Sequence, residues 1–187
     1  MKALVVLFCL IGSLAFAQEK IDEKLPYYEI PDFTVDYNAG SATARMVDGL
    51  GSRYYWASEG LREEDLTYKP SESGRTSAET IDHIYGLSKF ILGAVKIESN
   101  KTKDEEAQMT FAEKRKQTLL NFEMTAELLR RTEDLSQFDN ERFKFWNIIN
   151  GPIADAIWHC GQVVLLRRAS GNPFNSKASV FSGKVRQ

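Results

Sequence analysis

Apolar residues return at steps of three and four along much of this chain, and that period belongs to the α-helix. In 41–61 the stripe is Val47, Leu50, Tyr54, Ala57 and Leu61, with Gly60 near its end. Thr76, followed three residues later by Glu79, forms a capping box that predicts a second helix to about Lys96, with His83 two turns in. Phe111, Thr118, Leu119, Phe122, Ala126 and Leu129 mark a third helix over roughly 106–132, its other side covered by lysine, arginine and glutamate. The fourth begins at Pro152, a residue suited to the first helical position, and runs to about Ser170, where Gly171 and Pro173 resemble a stop. A turn-rich stretch (Lys69 to Gly74) and a charged linker (Glu98 to Glu105) separate these segments. An aromatic-rich stretch (139–149, with Phe143, Phe145 and Trp146) reads as a short helix before the break at Asn150-Gly151-Pro152. There is no convincing strand series, internal repeat or low-complexity run. The expected class is all-α: a four-helix bundle over 39–173, preceded by an extended arm (18–38) with Pro26 and Pro31, and followed by an irregular tail (174–187).

The first residues read as an export signal. Lys2 precedes the apolar run 3–14, and Ala15-Phe16-Ala17 offers small residues where a signal peptidase cuts. The run is short for a membrane span of about 20 apolar residues, and Phe8 before Cys9 disfavours a lipoprotein site. The expectation is an exported protein, periplasmic or secreted, with no stable membrane insertion once 1–17 are removed. A length of 187 residues less that leader suits one domain with a sizeable core, and 43% hydrophobic with 27% charged residues is ordinary for a globular chain. Taking Lys2 from 24 basic residues, against 26 acidic ones, gives a net charge of −3 with no long basic run, which disfavours nucleic acid. Cys160 is then the sole cysteine, so no internal disulfide forms and packing must hold the fold. Asn100-Lys101-Thr102 is a glycosylation sequon that matters only in a eukaryotic source. The arm and tail either pack against a second copy in a homodimer or are flexible termini.

The most informative chemistry lies in 152–162. Asp155 and His159 stand one turn apart and Gln162 extends their stripe, so the three share a helix face. Flanking Ile153, Ala156, Ile157, Val163, Val164 and Leu165 predict a helix buried on several sides. A carboxylate buried there unpaired costs several kcal/mol, so it needs a metal, a histidine or strong hydrogen bonds. The only other histidine is His83. If the second and fourth helices face one another, His83, Asp155 and His159 converge on an inward point as a three-ligand site for Zn²⁺, Ni²⁺ or Fe²⁺. Three protein ligands leave a position for water or substrate.

A plainer reading stands beside it. Asp155, in the first turn after Pro152, complements the helix macrodipole without any metal, and both histidines are then satisfied core residues. Gln162 either orients a ligand or bonds a neighbouring helix. Arg167 and Arg168 complement the dipole of their own helix end or attract an anionic substrate. Cys160 reads as a packed core residue rather than a ligand or nucleophile.

Two stretches carry a family resemblance. GLGSRYYWASEGLREEDLTYKPSESGRTSAETIDHIYGLSKFIL (49–92) resembles the first two helices of the DinB-like, or YfiT-like, metal-dependent bundle family, with its Gly-Leu helix end, Tyr-Lys-Pro turn, serine-rich cap and histidine in the next helix. FWNIINGPIADAIWHCGQVVLLRRASGNP (145–173) resembles that family's last helix, whose pattern is His-x-x-x-His followed closely by Gly-Gln. The resemblance implies His83 as first ligand and His159 as last. At the remaining position, usually histidine, this chain carries Asp155; carboxylates bind these metals, so the resemblance still implies a site but does not carry over the metal's identity or affinity. Relatives include thiol-dependent transferases, an isomerase and metal-dependent hydrolases.

The resulting expectation is an exported metal-dependent enzyme acting on a small molecule through activated water or thiol, with hydrolysis favoured by export because thiol cofactors are mainly cytosolic. Arg53, Trp56 and Trp146 are candidates for the pocket wall. Catalytic residues are unassigned: Glu59, Glu79 and Asp82 qualify as a base by residue type alone. The competing expectation is a non-catalytic bundle that binds a small ligand or a protein partner, with His83, Asp155 and His159 as a buried hydrogen-bond network.

Overall fold

The computed structural model describes residues 24–96 and 108–187. The leader, the first residues of the arm, the charged linker and the Asn100 sequon lie outside the described residues. What is described is helix-dominated, with one isolated antiparallel bridge, Ala178 to Val185, and no strand. The helices are α1 (Ala39–Ser58), α2 (Glu63–Thr67), α3 (Ser77–Val95), α4 (Phe111–Arg130), α5 (Phe145–Ile148) and α6 (Ala154–Ala169). A 3₁₀ turn (Leu135–Phe138) precedes α5, and a π-helical turn (Ile149–Ile153) joins α5 to α6.

Local chemistry starts each long helix. Asn38, Thr76 and Thr110 each accept a bond from the backbone N–H three residues on, and the side chains of Ser41, Glu79 and Glu113 accept in turn from the cap residue's own N–H. Gly60, with φ of +64°, turns the chain after α1. α4 begins at Phe111 rather than about 106 because the Thr110 box opens it.

α1 and α3 each pack against both α4 and α6, and between them lies the apolar core. Val47, Leu50, Tyr54, Ile81, Ile84, Leu119, Phe122, Leu129, Ile148 and Ile153 are fully buried there. Phe111, expected in this stripe, is only half-buried at the first turn of α4. α1 and α4 approach so closely that a Cβ on Gly40 would sit 1.7 Å from the Thr132 carbonyl oxygen. Arg130 of α4 holds Asp48 of α1 with two bonds of 2.8 and 2.9 Å, and Asp48 is 2% exposed. Burial pushes the Asp48 carboxyl above its ordinary range, and Arg130 pulls against that shift.

The expected break at Asn150-Gly151-Pro152 is instead a π turn, so the helical path runs from Phe145 to Ala169. Proline lacks an N–H and its ring crowds the carbonyl four residues back; a wider π turn relieves that conflict without ending the helix. Nor is α6 buried on several sides. Ala156, Cys160 and Val163 face the core, whereas Leu165 and Trp158 are 66% and 71% exposed. A continuous apolar run carries no phase, and packing on α1 and α3 along one side leaves Trp158 and Leu165 turned away from the core.

The arm lies along α1 rather than standing loose. Tyr27 (φ 72°) is buried against Gly51, where a Cβ would meet its ring at 2.4 Å, and its hydroxyl donates to Asp48 at 3.3 Å. The Trp56 indole donates to the Tyr28 carbonyl at 3.2 Å. Arm and tail are tied by the Ile30 N–H to the Gly183 carbonyl, 2.8 Å, and by Lys184 to Asp32, 3.2 Å.

Candidate metal centre

The cap at Thr76 fixes the phase of α3, and with it the position of His83. On α3 the buried residues Thr80, Ile81, Ile84, Ser88 and Ile91 form one face, and His83 lies at its edge. Asp155 and His159 sit in the same way at the edge of the buried face of α6. The two edges meet where α3 packs on α6, so the side chains face one another at a seam open to solvent. This corrects the expected inward-facing point: His83 and Asp155 side chains are each 37% exposed and His159 12%. Desolvation of Asp155 is therefore partial, and its partners are the two imidazoles.

His83 Nε2 lies 3.1 Å from Asp155 Oδ2, and His159 Nε2 lies 3.3 Å from Asp155 Oδ1. The imidazoles meet edge to face with centroids 4.5 Å apart. One donor atom from each residue falls within 4.8 Å of the others. A tetrahedral ion with bonds of about 2.0–2.1 Å separates its donors by about 3.3 Å, and each imidazole stands at about that spacing from its own oxygen of the carboxylate. His159 Nδ1 is 2.8 Å from Gln162 Oε1. With Nδ1–H donated to that oxygen, Nε2 is the ring nitrogen that faces the Asp155 carboxylate. The helix-dipole explanation for Asp155 loses force, because the chain ahead of it is already helical and offers no free N-terminus.

The other sequence candidates lie elsewhere. Arg53 and Trp56 line a cavity bounded by Ile157, Cys160 and Val164 of α6. At 100° per residue that wall lies roughly opposite Asp155, His159 and Gln162 on the helix. Trp146 is 77% exposed and lines a separate hollow with Glu133, Leu135 and Ile149. All three leave the seam because their phase on α1 or α5 directs them away from it. Each possible base has a structural partner: Glu59 pairs with Arg115, Asp82 with Lys114 at 2.8 Å, and Glu79 closes the cap of α3. Arg167 binds the turn at its own helix end, donating to the Asn172 carbonyl at 2.7 Å and its side-chain oxygen at 3.2 Å, and does not face the seam. It is 3% exposed and donates to the Trp56 and Ala57 carbonyls, 2.9 and 3.1 Å, at the unpaired C-terminal end of α1. Cys160 is buried, as expected, and burial pushes its thiol up to about 12, so it is no thiolate at neutral pH.

Sequence reasoning missed two features. Asp65 on α2 is fully buried, held by Arg62, the Ser170 hydroxyl and the Asn172 amide, and ties α2 to the end of α6. The tail forms one wall of the cavity beside Arg53. Neither has a periodic signal, since both depend on contacts across more than a hundred residues.

Comparison with family models, curated proteins and solved structures finds no match to this chain. No helix among the described residues is long and apolar enough to cross a membrane.

Proposed function

We propose that this chain is an exported four-helix bundle of the DinB-like kind whose His83, Asp155 and His159 hold one divalent transition metal, Zn²⁺, Ni²⁺ or Fe²⁺, and that it is a metal-dependent enzyme of hydrolase type. The observation that carries the reading is the meeting of two imidazoles and a carboxylate from helices 72 residues apart, with Gln162 holding the outer nitrogen of one ring. When bound, such an ion supplies a Lewis acid and an open coordination position at which water or a thiol loses its proton near neutral pH. The half-exposed seam gives a small-molecule substrate access to that position. Gln162 fixes the His159 tautomer so that Nε2 remains the ligand atom. The thiol-transferase variant uses the same residues and ranks second, because export separates the protein from cytosolic thiols.

The direct contacts of 3.1 and 3.3 Å also favour a second reading, a non-catalytic bundle in which the same three side chains form a hydrogen-bond network. Metal content separates the two. Elemental analysis of the wild type should give one ion per chain, lost in His83→Ala, Asp155→Ala and His159→Ala. Trace metal in all four proteins after loading with Zn²⁺, Ni²⁺ or Fe²⁺ would reject the site. Ester and amide hydrolysis that disappears with chelation and returns with metal is the expected activity; turnover indifferent to chelation refutes the enzyme.

A further inference from the structure

The cavity on the far side of α6 has a volume of about 310 Å³. Trp56 and Ala57 of α1, Ile157 and Val164 of α6, and Phe174 and Val180 of the tail give it an apolar wall. One charge on that wall stands out. Arg53 is half-buried, and its guanidinium spends one N–H on the Gly49 carbonyl, 2.8 Å, with no carboxylate partner among the described residues. Lys184, the other cation at the cavity, already pairs with Asp32 and Glu29. Cys160 beside Arg53 is a neutral thiol, so it supplies no counter-charge. A guanidinium partly withdrawn from water beside apolar surface favours an anion that can accept two parallel bonds.

We propose that this cavity is a binding site for a small amphipathic carboxylate, its apolar body among Trp56, Ile157, Val164 and Phe174 and its carboxylate on Arg53. The cavity is large enough for a small molecule such as octanoate. A volume near 300 Å³ with mostly apolar walls and a single placed charge is the usual makeup of a small-molecule pocket. Gly161 offers a clean block: it lines the cavity, and a Cβ built on it meets nothing within 4 Å, so a larger side chain enters open space without disturbing α6.

Calorimetric titration with octanoate, 1-octanol and octylammonium tests the site. Octanoate should bind one per chain, at least tenfold tighter than 1-octanol, with octylammonium silent. Arg53→Gln should reduce octanoate to the affinity of 1-octanol, and Gly161→Leu should abolish binding while thermal stability is kept. Val180→Trp closes the cavity from the tail if Gly161→Leu fails to fold. No octanoate binding to the wild type at millimolar concentration, equal affinity for the alcohol, or unchanged binding in the blocked variant overturns the proposal. Metal content should be the same in all of these variants, so this result and that for the seam are read independently.

Discussion

Gln162 illustrates how much one side chain contributes without touching a proposed ion. Its oxygen holds His159 Nδ1 at 2.8 Å and so decides which ring nitrogen is left for Asp155 or a metal. Gln162→Leu should keep the fold, because the residue is only half-buried, yet lower metal affinity about 10–100-fold. Competition against a chelator of known affinity reads that change. Affinity equal to wild type would mean the histidine is oriented by packing alone. At this scale the sequence was legible where one helix supplies several members of a group: Asp155, His159 and Gln162 share a face by spacing. Arg53 and Trp56 were legible as a pair on one face of α1, but not in which cavity they line, since rotation of a helix about its axis is set by its neighbours.

Between elements, the α1–α4 pairing depends on a buried ion pair that the sequence did not reveal. Arg130→Met should leave Asp48 charged and buried with only the Tyr27 hydroxyl bonded to it, at a cost of about 3 kcal/mol near neutral pH. The sign of its pH dependence follows from burial. An acid whose folded pKa is raised stabilises the folded state below the unfolded value, and that contribution is lost as pH rises through the folded one. The penalty should therefore shrink on acidification, because in the variant a buried Asp48 can take up a proton instead of staying charged. Denaturant titrations of Arg130→Met at pH 7 and pH 4.5 should show the variant closer to wild type at the lower pH; a constant gap would argue against a charged Asp48. The π turn teaches a related lesson. Asn150-Gly151-Pro152 reads as a break because each residue disfavours a regular helix, but burial of Ile148 and Ile153 on either side keeps the chain helical through it.

For the molecule as a whole, the Asp65 cluster joins α2, the end of α6 and the turn after it. Arg62 above all, then Ser170, the Arg62 backbone N–H and Asn172, hold the Asp65 carboxyl well below the usual carboxylate range. A lowered folded pKa contributes stability that is complete above the unfolded value, about 3.9, and is lost as pH falls toward the folded one. Melting temperature should accordingly drop on acidification below about pH 4. Asp65→Asn should melt several degrees lower at pH 7 and show a shallower acid slope, and an acid slope identical to wild type would assign that loss to other carboxylates.

The repeat of apolar residues at three and four, together with the cap at Thr76, determined the helical class and roughly where α1, α3 and α6 run, because those signals act within one or two turns. The period also placed Asp155, His159 and Gln162 on one face. Only the tertiary structure decided that His83 meets them, that the meeting point is a half-open seam, and that the tail closes a second cavity over Arg53. Those outcomes depend on how helices rotate and pack, which is settled by contacts between residues far apart in the chain.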